Sequence, residues 1–471
     1  MLFNSFIFVL LFLPVAVTGY FILNAHKRYT LAKWFIICMS LWFYGYYEWK
    51  YLVFIVADIF ANYLIYRLLI KGRCVKPLLV LGIAANIGAL AFYKYSPREI
   101  LIPLALSFIT FQQISFLVDA YREELGYINF EDYCFYISFF PKLLSGPIIL
   151  SKDFFTQTDA PNRMTVNWGN IYTGIWLFVL GMAKKVLLAD VLAKAVDFGF
   201  SMFMYVDGFS TFMAVILYSF QLLFDFSGYC DMARGIGYMF NIDIPVNFLS
   251  PYKATNVSDF WERWHITLTK FFTKYLYIPL GGSRRGTVRT YINIMIVFLV
   301  SGAWHGDGIT FIIWGAFHGI GSICSRIINM NRKSHNFKGI SNVLSVILTF
   351  LYVSFAWLFF RADSLISAIE MIRHIVSGGI SFVCREMTDY FMPSIVGYGA
   401  NYLKMNVSIV SAVCFLVYFA ICIYLAFFSK SLCEMEKSVA PTVKKTVALA
   451  ALLVICMVNF SEVSQFLYFD F

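Results

Sequence analysis

Long apolar runs separated by short, mostly basic loops govern the chain from end to end. A helix needs about 20 apolar residues to cross a bilayer, and by that measure roughly ten to twelve runs qualify as spans. The first, Met1 to Leu23, has no basic residue ahead of it and His26-Lys27-Arg28 behind it. That is unlike a cleaved leader, which has a positive front and a small-residue cleavage site. Spans near Trp34 to Tyr47, Tyr51 to Leu69, Pro77 to Tyr93 and Leu101 to Val118 follow. Because positive residues gather on the cytoplasmic side, the loops Asn24 to Lys33, Lys71 to Lys76 and Tyr121 to Glu124 are expected inside, with the N-terminus outside.

The pattern then becomes irregular. FFPKLLSGPIIL, from Phe139, is broken by Pro141 and Gly146-Pro147 and is too short to span, which predicts a re-entrant or interfacial segment buried against other helices. Ile171 to Leu188, Gly208 to Phe226 and Tyr229 to Ile244 read as three further spans. The segment after Asp225 carries Asp225, Asp231 and Arg234 among glycines and aromatics. Asp231 and Arg234, at i and i+3, make the obvious ion pair, a structural role weighed above a substrate one. Beyond the long polar-to-apolar stretch from Asn247, two runs meet at Ser301 to Gly308, and a span near Leu344 to Phe360 leads to a mixed aromatic cap from Arg361 to Lys404. Val407 to Phe428 and Thr446 to Val463 close the series. Their flanking loops, Asn329 to Lys338 and Lys430 to Lys445, are basic and expected inside, so the aromatic C-terminus is expected outside.

Composition agrees with this pattern. Of 471 residues, 60% are hydrophobic and 14% charged, with a mean hydropathy of +0.72, which excludes an ordinary soluble domain. The net charge of +10 is spread over short loops and reads as topology, not nucleic-acid binding. The ten cysteines have no ligand spacing, so neither a metal site nor a disulfide framework is expected. The fold class expected is an all-α polytopic membrane protein of about eleven transmembrane helices plus re-entrant or interfacial helices. The chain forms one integral domain, 1–471, with a core at about 100–330 and added helices at 340–471.

Three stretches carry candidate chemistry. In SGAWHGDG, His305 is an ionisable group at membrane depth, and Gly302, Gly306 and Gly308 leave room for a ligand or a second backbone. A helix end with a glycine cap and a hydrogen-bonded histidine explains the same residues about equally well. In SDFWERWHITL, Asp259 and Glu262 resemble a capped helix start, and Trp261, Trp264, His265 and Leu268 would share one face of an interfacial helix. Alone, that stretch favours a buried histidine without chemistry. YIPLGGSRRG adds Arg284 and Arg285, which mark topology or bind donor phosphates. Trp304 and Asp307 are further donor-contact candidates. His318 lies 13 residues past His305, about 220° round a continuous helix, and is expected to face elsewhere in a structural role.

PVNFLSPYKATNVSDFWERWHITLTKFFTKYLYIPLGGSRRG and NIMIVFLVSGAWHGDGITFIIWGAFHG together resemble the membrane-bound O-acyltransferase family, in its bacterial alginate O-acetylation branch. MLFNSFIFVLLFLPVAVTGYF, SFITFQQISFLVDAYR and FFPKLLSGPI fit that branch too, so the resemblance runs to about Gly321. Asp307, where a small residue is expected, and Glu262, where a basic one is common, depart from the pattern.

The resemblance implies that His305 is the invariant family histidine and His265 the second, more variable polar position. It implies a cytoplasmic acyl thioester donor, acetyl-CoA or an acyl carrier protein, with no bound cofactor. It further implies a central tunnel through the helical bundle, where donor and acceptor meet, in a multi-pass protein of the bacterial inner membrane that works with an extracytoplasmic acetyltransferase on an exopolysaccharide or envelope glycan; the basic loops keep both termini extracytoplasmic. D-alanyl transfer to teichoic acid is the alternative within the family, and a transporter or flippase the alternative outside it. A transporter is expected to show an inverted repeat, and none is visible.

Overall fold

The computed structural model describes residues 1–72, 75–96, 103–158, 161–334, 342–379, 381–436 and 439–460. Among them the chain is helical, with one isolated antiparallel bridge between Phe248 and Trp264. Arg73, Lys338 and Lys437, which fall in the loops assigned to the inside, and the aromatic C-terminus beyond residue 460 lie outside the described residues.

Eight helices among the described residues are long and apolar enough to cross a membrane: Phe8–Ala25, Lys50–Leu69, Val75–Tyr95, Gly208–Met239, Thr287–His305, Ile309–Met330, Asn342–Arg361 and Val407–Phe428. The fold class is the all-helical polytopic one expected. The number of full spans is below about eleven because several apolar runs form shorter helices. Tyr29–Gly45 has 17 residues, Leu106–Tyr121 16 and Val443–Val458 16. Trp168–Ala183 passes through a π-helical turn, Lys184–Ala189, directly into Asp190–Ser201.

Gly208 to Phe226 and Tyr229 to Ile244 are not two spans. They form a single 32-residue helix, Gly208–Met239, that is buried along most of its length. Its glycines let it pack directly against the backbone of Trp168–Ala183. A Cβ on Gly174 would stand 2.5 Å from the Gly235 carbonyl oxygen, and one on Gly181 would stand 2.6 Å from that of Gly228. The pairs 174 with 235 and 181 with 228 run antiparallel, two helical turns apart, so the two backbones touch where any side chain would separate them.

This crossing also sets the ion pairs. Asp231 does not pair with Arg234, as expected from their spacing. Its carboxylate meets Lys184 at 2.7 Å across the glycine contact, while Arg234 meets Glu436 at 3.0 Å and donates to the Ile244 carbonyl. Lys185 lies 2.7 Å from both Asp190 and Asp225. A neighbouring helix a few ångströms away satisfies a buried charge better than a residue on the same helix, whose side chain must bend back to reach it.

The Phe139 segment is buried within the protein from Phe139 to Ile149 and contains one helical turn, Phe140–Leu143. Its backbone groups find protein partners: Phe140 N donates to Ser40 Oγ, Ile148 N to Thr267 Oγ1, and the Ile149 carbonyl accepts from Tyr136. Irregular backbone is tolerated in a membrane only under such cover.

Candidate active site

The two helices that meet at SGAWHGDG form a tight hairpin. Thr287–His305 ends at His305, Gly306 is extended, and Ile309–Ser334 returns. A Cβ on Gly302 would sit 2.4 Å from the Phe311 carbonyl oxygen, and one on Gly315 the same distance from that of Phe298. The glycines therefore serve a close backbone approach. The last carbonyls of the first helix accept from the Val75–Tyr95 helix: Lys94 Nζ donates to Trp304 O, and the Tyr95 hydroxyl to Ala303 O at 2.5 Å. A cation at a helix C-terminus also suits the helix dipole.

His305 is buried, 2% exposed, in a wall of rings. Trp304 is 4.4 Å away by centroid, Trp314 5.0 Å and Phe360 5.1 Å. Trp304 packs on Phe111 and Phe108. Asp307 is exposed at the hairpin tip.

His265 arrives differently from what its spacing predicts. The helix over FWER is Val257–Arg263, capped by Asn256, whose side chain accepts from Asp259 N; Asp259 is not the cap. Trp264 is then extended and bridged to Phe248, and His265 adopts a left-handed conformation, φ 46°, before Ile266–Phe272 begins. Trp261, Trp264, His265 and Leu268 are all buried, yet they do not share one helix face, and the segment is interior instead of interfacial. The left-handed turn costs a non-glycine residue of order 1–3 kcal/mol, a strain kept only where the surroundings fix it. Here Ile266 N bonds to Asn247 O and Leu249 N to Arg263 O. The His265 ring packs edge-on against Phe226 at 4.8 Å. Asn247 Oδ1 lies 3.2 Å from His265 Nδ1, a contact that sequence reading missed because the two residues are separated by a loop.

His318 does not face away. The break at Gly306 to Gly308 voids the continuous-helix angle, and its buried ring lies 5.0 Å from Trp314 by centroid, as the ring of His305 does. Its Nδ1 accepts from Trp261 Nε1 at 3.2 Å. Trp314 thus touches the rings of both His305 and His318.

A cavity of about 500 Å³ is lined among others by Trp261, Thr269, Ser283, Ser301, Arg326 and Asn329; none of His265, His305 and His318 lines it. Ser301 lies one turn before His305 on the same helix, and Ser283 and Arg326 lie at the other end of the hairpin. Arg284 and Arg285 are exposed on the neighbouring turn and do not line it. Arg326 escaped notice in the sequence because one arginine near a basic loop looks like a topology marker.

A family profile described as membrane-bound O-acyltransferase matches residues 29–368. The chain belongs to that family. It is 36% identical over 438 residues to the peptidoglycan O-acetyltransferase of Helicobacter pylori, covering 83% of each chain. It is 32% identical over 404 residues to a probable alginate O-acetylase of Pseudomonas aeruginosa, covering 80% of this chain and 75% of that one. The teichoic acid D-alanyltransferase of Bacillus subtilis is 24% identical over 278 residues, 56% of this chain and 70% of the relative.

An O-acyltransferase with membrane-length helices answers the transporter alternative. Near the candidate site of this O-acyltransferase, Lys274 bridges Asp119 and Glu124, each at 2.8 Å. The hydrogen bond from Lys274 holds the Glu124 carboxyl below the usual carboxylate range. Among the described residues no group of three or more His, Cys, Asp and Glu is placed to hold a metal ion.

Proposed function

We propose that the enzyme takes an acetyl group from a cytoplasmic thioester, acetyl-CoA in our reading, and passes it across the inner membrane for O-acetylation of an envelope glycan or exopolysaccharide, with an extracytoplasmic acetyltransferase as partner. The observation that carries this reading is the cavity reaching from Ser283 and Arg326 to Ser301 and Trp261, beside the helix end that presents His305. The substrates named for the Helicobacter pylori and Pseudomonas aeruginosa relatives, peptidoglycan and alginate, supply the acceptor class.

In this mechanism neutral His305 takes the proton of the acceptor hydroxyl as that oxygen attacks the thioester carbonyl. The tetrahedral intermediate collapses to the ester and expels the thiolate, which the imidazolium then protonates. His265 holds the acceptor or donates to the developing oxyanion. Trp304 and Asp307 shape the far side, and Arg284, Arg285 and Arg326 meet the donor at its entrance. The whole chain acts as one membrane unit, its core at about 100–330 and its added helices at 340–471. Both termini are placed outside and the loops at Lys71, Arg332 and Lys430 inside.

The test is acetyl content of the envelope polymer in cells with and without the gene, together with transfer from radiolabelled acetyl-CoA in isolated membranes. Label moving instead from a D-alanyl carrier protein replaces acetyl with the alternative that the Bacillus subtilis relative represents. A C-terminus mapped to the cytoplasm by cysteine accessibility overturns the topology.

A further inference from the structure

We infer that Asn247 is a positioning residue for the acyl transfer: it fixes which nitrogen of His265 carries the proton and holds the ring in its left-handed turn. The inference rests on the placing of His265 in the site. Asn247 is 1% exposed in the extended stretch after Gly208–Met239, 18 residues before His265.

Three hydrogen-bonding groups converge on its side-chain oxygen: Thr267 N at 3.1 Å, Thr267 Oγ1 at 2.9 Å and His265 Nδ1 at 3.2 Å. A backbone N–H can only donate, so the atom facing it is the oxygen and the amide orientation is settled by chemistry. That oxygen can only accept, which makes Nδ1 of His265 the protonated nitrogen and leaves the ring lone pair on Nε2. The amide nitrogen of Asn247 is turned to Cys230 Sγ at 3.4 Å.

The arrangement is anchored on both sides. Asn247 O accepts from Ile266 N at 3.1 Å, so backbone and side chain of one residue together grip the two residues that follow His265. Thr267 Oγ1, while donating to Asn247, accepts from Ile148 N at 3.1 Å. The buried Phe139 segment is thereby tied into the same chain of bonds. A neutral His265 with Nε2 basic is suited to accept a hydrogen bond from the acceptor hydroxyl, so His265 is assigned to orient that hydroxyl for His305 and not to donate to the oxyanion.

The experiment measures kcat and donor KM for acetyl transfer from acetyl-CoA to the native glycan in membranes holding the full chain, normalised to folded protein. Asn247→Leu keeps the size and removes the acceptor, and is expected to lower kcat about 10- to 100-fold with donor KM within about twofold. Asn247→Asp keeps an acceptor at the same place and is expected to recover most of the loss. Wild-type kcat in folded Asn247→Leu overturns the assignment, and so does an equal loss in the Leu and Asp variants. His265→Ala, measured beside them, separates the failures: if it is unimpaired the placing of His265 falls, whereas if it alone is impaired only the role of Asn247 falls.

Discussion

The imidazole of His305 stands 5.0 Å from the indole of Trp314 at an interplanar angle of 85°, an edge contact that fixes the ring without engaging its chemistry. His305→Ala is therefore expected to remove the base while leaving the aromatic wall in place. A general base contributes about 10²–10⁴ in rate, so glycan acetylation in the variant should fall to background at normal membrane levels of the protein. Wild-type acetylation in a folded variant would exclude His305 as the base.

Trp314 also touches His318, and there the expected effect is on stability. His318→Phe keeps a ring in the packing but leaves the buried Trp261 N–H without its acceptor, a loss of about 1–3 kcal/mol. The detergent-purified variant should unfold at lower temperature and keep its acetyl-transfer rate per folded molecule. A rate loss as large as that of His305→Ala, at unchanged stability, would move His318 into the chemistry.

The hairpin depends on backbone contact. Gly302→Ala places a Cβ 2.4 Å from the Phe311 carbonyl oxygen, and overpacking of that kind costs about 1–3 kcal/mol. Gly88→Ala, on Val75–Tyr95, meets nothing within 4 Å and serves as the control. Thermal unfolding should separate the two, with the first lowered and the second unchanged or raised; equal midpoints would mean that the helices separate freely.

The cavity can be tested through donor binding. Arg326 lines it and Arg284 and Arg285 do not, so Arg326→Ala should raise donor KM several-fold with little change in kcat, as loss of uniform binding does. The double variant Arg284→Ala with Arg285→Ala should change KM less. The reverse order would put the donor phosphates on the Gly281 to Gly286 turn.

Hydropathy and basic loops were enough to read a helical membrane protein whose apolar runs meet at the glycine-flanked SGAWHGDG stretch, and the resemblance of the longer motifs was enough to read the acyltransferase family. These are local or composition-level properties, since a bilayer rewards about 20 apolar residues wherever they occur and a backbone contact requires glycine. Partner choice was not legible. Asp231 looked bound to Arg234 three residues on, and only the glycine crossing with Trp168–Ala183 put Lys184 within 2.7 Å of it. The same crossing joined two apparent spans into Gly208–Met239. His265 carried an apparent helical phase through FWERWHITL, but the bridge from Phe248 to Trp264 and the grip of Asn247 turned it left-handed. His318 seemed to point away until the break after His305 folded its helix back beside Trp314. Periodicity describes one element at a time, whereas buried polar groups are satisfied by whichever neighbour the packing brings within hydrogen-bond distance, and that neighbour is chosen only when the helices meet.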